Sequence, residues 1–324
     1  MTHFLFAFNA LMPLLLLASI GYLMKNTGLV SRSFIDNLNK YVFYIALPVL
    51  IFMTLSGIGN LEDLDWPVVY FAVGMLILVT LIGYWTVRFL RTERRFKPVI
   101  MQVFFRGNFT LIGIPLAIRL GGEETLQMII ILNAVLIPIT NFLSILTFKI
   151  WKEESDETSL FTDVIKDTLR NPLMIGVFAG LLAYAVGATT DRFENTFTII
   201  PETLSMIAST ATPMALIAIG GQFEASQARL QRFPLSVAVV SRLVAVPLIT
   251  FTVAFFLHRI IPFGDSWAAL IAIFASPVAV SSGAITKGLG GDERFASQVV
   301  IFSTGLAVFS IFIIVIIFRL LGLL

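Results

Sequence analysis

Two short stretches put reactive residue types inside an otherwise apolar chain: Arg106-Gly-Asn-Phe-Thr-Leu-Ile-Gly-Ile-Pro115 and Ala275-Ser-Pro-Val-Ala-Val-Ser-Ser-Gly283. Each lies midway along a run long enough to cross a bilayer. Proline lacks an amide donor and clashes with the carbonyl four residues earlier, so Pro277 is expected to break its helix. In hydrocarbon the freed backbone groups need partners, and irregular backbone is tolerated only against protein or a wet cavity. A half-helix starting at Pro277 would direct the amides of Val278, Ala279 and Val280 into the break. The positive end of its dipole would point the same way, which favours an anion, typically a carboxylate. Ser276, Ser281 and Ser282 could add hydroxyls on that side. Asn108 and Thr110 do so from the other stretch, where Gly113 and Pro115 complete the candidate set; Gly107, Gly113 and Gly283 add flexibility and leave room for close approach. Freed carbonyls at the same breaks would suit a cation, so sodium is the competing ligand.

Arg106 lies within about one turn of the centre of its span, and Arg242 about midway into another. A charge at such depth costs about 2.5–3.5 kcal/mol or more, so it is functional by default. No carboxylate lies as deep, since Asp36 and Glu202 are nearer the ends of their spans. An arginine without a protein partner is a candidate counter-ion for an anionic substrate. The competing readings are snorkelling and pairing with backbone carbonyls. Arg106 is the main candidate and Arg242, nearer the inner side, a secondary charge site.

The elements that must hold these residues follow from composition. The chain has 324 residues, 57% hydrophobic and 13% charged. A soluble domain is about one-quarter charged, so an ordinary globular enzyme is excluded. With about 20 apolar residues per crossing, ten spans are expected, near 4–24, 34–56, 67–90, 98–120, 125–150, 172–189, 196–222, 233–257, 267–289 and 295–319. The first has no basic residue before it and is long enough to span, which argues against a cleaved signal. Of 22 Lys and Arg, sixteen fall in the odd-numbered loops and their flanks. Basic loops stay in the cytoplasm, which puts both termini outside. The fifth loop, 151–171, has a rough helical period at 160–169, read either as a partner-binding segment or as a linker helix on the bilayer. Gly176-x-x-x-Gly180 allows another helix to approach closely.

The halves repeat. Asn9-Ala-Leu-Met12 matches Asn171-Pro-Leu-Met174, Pro48 matches Pro213, Trp66-Pro67 matches Phe233-Pro234, and Leu120-Gly-Gly-Glu matches Leu289-Gly-Gly-Asp. Five spans per half make the second half enter from the opposite side, an inverted repeat whose site is expected where broken helices meet at mid-membrane. The expected fold is all-α and polytopic: residues 1–150 as the first five spans, 151–171 as a cytoplasmic linker, and 172–324 as the inverted second five.

Several activities are excluded or disfavoured. There is no phosphate-binding loop and no HExxH pattern. Zero cysteines exclude disulfides and cysteine-held metals, and His3 and His258 lie at outer edges. No metal or other cofactor is expected. A net charge of +2 does not suggest nucleic acid. Scarce deep carboxylates weaken proton coupling, although the substrate could carry its own proton.

Gly21-Tyr22, Gly28-Leu29, Leu38-Asn-x-x-Val-Phe-Tyr-x-x-Leu-Pro48, Asn108-x-x-x-x-Gly-x-Pro115, Thr212-Pro213-x-Ala-Leu-x-x-Ile-Gly220 and Pro277-x-Ala together resemble the auxin efflux carrier family, which includes plant PIN carriers and bacterial malate or malonate permeases. The resemblance covers essentially the whole length. It implies ten helices with the fourth and ninth crossing, a scaffold domain, and an elevator-like or rocking movement, as in bile-acid symporters and sodium–proton antiporters. The short central loop favours the bacterial permeases. Arg106 is not a fixed feature of that family, so its role rests on depth and charge. The expected function is a carrier of small mono- or dicarboxylates in the plasma membrane, for a bacterium the inner membrane. The alternatives are a sodium-coupled symporter and, further off, an anion channel. A homodimer is compatible with all three.

Overall fold

The computed structural model describes residues 2–57, 65–151, 170–186, 199–222, 232–261 and 263–324. The segment 160–169 lies outside them. The described chain is helical, apart from one isolated bridge between Gly107 and Val278. Its helices are α1 (Thr2–Asn26), α2 (Arg32–Ser56), α3 (Trp66–Phe89), α4 (Lys97–Phe105) and α5 (Ile114–Trp151). They continue as α6 (Pro172–Ala185), α7 (Ile199–Gln222), α8 (Arg232–Leu257), α9 (Trp267–Phe274), α10 (Ser281–Gly288) and α11 (Glu293–Leu320). Seven helices among the described residues are long and apolar enough to cross a membrane. The chain is an integral membrane protein.

Helix α5 has 38 residues. At 1.5 Å per residue that is about 57 Å, too long for one crossing of about 30 Å. Gly122 interrupts it at φ 73° and ψ −154°, a conformation that needs glycine. The matching Leu289-Gly-Gly-Asp turn places Gly290 at φ 72°. In both turns the other glycine is there for packing. A Cβ on Gly121 would lie 2.0 Å from Thr125 Oγ1, and one on Gly291 would lie 2.3 Å from the Phe148 ring.

Three π-helical turns, Val42–Ala46, Phe109–Gly113 and Ser241–Ala245, each end two residues before a proline: Pro48, Pro115 and Pro247. Proline frees the carbonyl four residues back, and the wider turn absorbs the mismatch. At the third, the freed Leu243 carbonyl accepts from Ser310 Oγ at 2.7 Å.

The helices form two groups. In the first, α1 packs on α7, and α2 packs on both α6 and α7. The approach is close because Cβ atoms on Gly21 and Gly220 would sit 2.0 Å from Ile217 O and 1.8 Å from Ala18 O. Gly176 and Gly180 face Pro48, Phe52 and Leu55 of α2, so the GxxxG spacing serves packing within the chain. The second group contains α3, α4, α5, α8, α9, α10 and α11, joined through α3–α4, α5–α9, α4–α8 and α10–α11.

Candidate functional site

The short helices α4, α9 and α10 have nine, eight and eight residues. Each is about 12–14 Å long and cannot cross alone. Both breaks fall where expected, at 106–108 and 275–280. They meet through a two-bond antiparallel bridge: Asn108 N donates to Pro277 O at 2.7 Å, and Ala279 N to Arg106 O at 3.1 Å. Each break thus supplies partners for the other's freed backbone groups, which apolar surroundings require.

Asn108 Oδ1 accepts from Leu111 N at 3.2 Å and caps the helix that resumes there. Its Nδ2 is buried and has no partner among the described residues. Thr110 sits half-buried in the π turn. Gly113 and Pro115 belong to packing: a Cβ on Gly113 would meet Ala272 O at 3.2 Å, and Pro115 is buried in the first turn of α5.

The expectation of free amides at Pro277 is corrected. Val278 N donates to Ser303 Oγ at 3.2 Å, and Ala279 N is used in the bridge. Two of the three amides are therefore satisfied within the protein. Ser276 is buried and donates to Ile273 O at 2.9 Å. Ser282 is buried with its hydroxyl unpartnered, whereas Ser281 is exposed.

Arg106, 7% exposed, ties three elements together. Its Nη1 donates to Asn141 Oδ1 at 3.0 Å, Ser144 Oγ at 3.1 Å and Thr140 O at 3.5 Å; its Nη2 donates to Ser281 Oγ at 3.2 Å. Nε is buried without a partner, and no carboxylate pairs with the guanidinium among the described residues. Its partners Asn141 and Ser144 were not foreseen. Their signal was a polar stripe in the fifth span, Asn133, Thr140, Asn141, Ser144 and Thr147, at three-, four- and seven-residue spacing.

Arg242 is fully buried. Its Nε donates to Ser276 O at 2.7 Å, and Nη2 to Ile273 O at 3.0 Å and Ser276 Oγ at 3.2 Å. Nη1 reaches Val103 O at 3.5 Å, and Phe109 lies beneath, its centroid 5.9 Å away. This corrects its reading as a secondary substrate charge: backbone carbonyls hold it and no surface of it is open to a ligand.

A cavity of about 430 Å³ separates the two helix groups at the end that carries Lys25, Arg32 and Arg294. Asp36 and Glu293 share it, Ile219 and Gln222 wall one side, and Ser297, Ile301 and Thr304 wall the other. Among its lining residues Val280 is next in sequence to Ser281, the partner of Arg106. The cavity lining thus carries three basic side chains against two acidic ones.

Residues 6–315 match the sequence profile of the membrane transport protein family. An uncharacterized transporter of Methanocaldococcus jannaschii is 23% identical over 252 residues, covering 76% of this chain and 78% of the relative. The chain belongs to the membrane transport protein family, that of the auxin efflux carriers, and is a membrane transporter.

Proposed function

We propose that this transporter is a carrier of small organic anions, mono- or dicarboxylates, and that the substrate binds where the two breaks meet. The observation that carries this reading is Arg106, a buried guanidinium at the bridged crossing with an unpartnered Nε and, among the described residues, no carboxylate beside it. Asn108 Nδ2 and the Ser282 hydroxyl are further buried groups awaiting a partner, and buried polar groups call for one. The cavity between the helix groups is the approach route.

The ten-span, five-plus-five inverted arrangement with crossing fourth and ninth spans, divided at 150 and 171, goes with this function. Its support is the pairing of breaks at Asn108 and Pro277 and the kinked turns at Gly122 and Gly290. Spans one and two also group with six and seven, their counterparts in the other half. On the basic-loop rule the cavity opens to the cytoplasm and both termini lie outside, in a plasma membrane.

The test is uptake of labelled mono- and dicarboxylates into liposomes containing the purified protein. Arg106→Gln should lower saturable uptake by about tenfold or more, the order expected when a charge-assisted contact is lost. Arg106→Lys should retain part of it. Unchanged uptake in Arg106→Gln would remove the counter-ion role, and single-channel currents in place of saturable exchange would replace the carrier by a pore.

A further inference from the structure

We propose that Arg242 is a tethered cation occupying the place that a coupling metal ion would take, so that transport runs without a sodium gradient. The proposal rests on the carrier reading for its consequence, but not for its geometry. Helix α9 ends at Phe274, buried inside the protein. The last carbonyls of a helix have no intrahelical amide, and its C-terminal end carries negative partial charge. In transporters with broken helices, such ends and the unwound carbonyls beside them coordinate the driving sodium ion or proton.

Here those oxygens surround a guanidinium. Ile273 O, Ser276 O and Ser276 Oγ come from the ninth span, and Val103 O comes from the fourth. Oxygens from both broken spans thus converge on one positive group, a donor set of the kind a hard cation takes. The group belongs to α8 and cannot leave. The backbone makes room for it, since a Cβ on Gly107 would lie 1.9 Å from Arg242 Nη2. Arg242 also links the two broken spans, since it bonds Val103 O of the fourth and Ser276 O of the ninth on the N-terminal side of each bridge residue, Gly107 and Val278.

The experiment uses wild type, Arg242→Ser and Arg242→Lys. In liposomes, wild-type carboxylate uptake should agree within about twofold whether an inward sodium gradient or N-methylglucamine is present, a difference small against a coupled gradient. Arg242→Ser opens a carbonyl-lined space. Its melting temperature should fall, and millimolar guanidinium chloride, or sodium chloride against N-methylglucamine chloride, should raise it again, because a ligand bound only by the folded state stabilises it. Neither salt should move the wild type. Arg242→Lys keeps a tethered charge and should remain sodium-indifferent. A several-fold rise of wild-type uptake with sodium would overturn the proposal, as would a folded Arg242→Ser with unaltered melting and no response to either cation. If Arg242→Ser does not fold, the wild-type and Arg242→Lys sodium comparisons decide alone. Rescue of melting by guanidinium in a protein that moves no carboxylate would uphold the tethered cation and reject the carrier reading.

Discussion

Arg106 and Arg242 carry the same charge, and their neighbours divide their roles. Arg242 directs its donors at carbonyls of Val103, Ile273 and Ser276, whereas Arg106 meets side chains that can turn away: Asn141, Ser144 and Ser281. Depth in the sequence ranked Arg106 above Arg242 but could not show what holds either, because the acceptors come from residues 31 to 175 positions away. The breaks themselves were legible, since proline chemistry and the internal repeat select the same positions. Which amides stayed free was not, because Ser303 reaches Val278 from another helix. Asn108 allows capping and ligand binding to be separated. Asn108→Ala should cost about 1 kcal/mol of stability through loss of its cap, and Asn108→Ser should restore most of that. If Nδ2 also contacts substrate, Asn108→Ser will melt like the wild type while its carboxylate KM stays raised; a KM that recovers with the melting temperature would confine Asn108 to the cap. Outside the spans, Asp65 is held above the ordinary carboxylate pKa by burial, against the lowering effect of bonds from Ser266 Oγ and the Val68 amide. A raised carboxyl binds more protons folded than unfolded, so its contribution to stability is present in acid and is lost as pH rises through the folded pKa. Melting curves across acidic pH should show that component in the wild type and lack it in Asp65→Asn; identical pH profiles would show that Asp65 makes no such contribution.

Among the elements, glycine positions decide which helices can approach. The α1–α7 contact is reciprocal, with Gly21 against Ile217 O and Gly220 against Ala18 O. Backbone atoms cannot swing aside as a side-chain end can. Gly21→Ala and Gly220→Ala should each destabilise the protein by about 1–3 kcal/mol through overpacking. Gly74 in α3 has open space around its Cβ position, and Gly74→Ala should be neutral or stabilising by up to about 1 kcal/mol from helix propensity alone. Thermal melting of the three variants checks the ranking, and equal effects would refute tight α1–α7 packing. The glycines were visible in the sequence, but their partners were not, because GxxxG and single glycines specify close approach without naming the neighbour. The π turns show the same division between what is local and what is not. Pro48, Pro115 and Pro247 disclose an interrupted ladder, whereas the widening of the preceding turn depends on where a freed carbonyl such as Leu243 O finds its donor.

For the whole molecule, the arrangement of the two helix groups bears directly on movement. The cavity lies on their boundary, with Gln222 of α7 on one wall and Ser297 of α11 on the other. Transporters built from repeats expose a central site alternately by moving one bundle against the other. If the groups move as units here, contacts within a group persist through the cycle while distances across the cavity change. The protein has no cysteine of its own, which leaves a clean background for engineered pairs. Tyr41 Oη and Thr210 Oγ1 lie 2.8 Å apart within the first group. Tyr41→Cys with Thr210→Cys, joined by a short bifunctional reagent that spans the gap left by the tyrosine ring, should therefore crosslink without stopping carboxylate uptake. Gln222→Cys with Ser297→Cys, joined by a bifunctional reagent of the cavity's width, should block uptake, and reductive cleavage of the reagent should restore it. Uptake that survives the second crosslink would mean that the cavity walls do not separate or close during transport, and the path of the anion would then have to run within the second helix group alone.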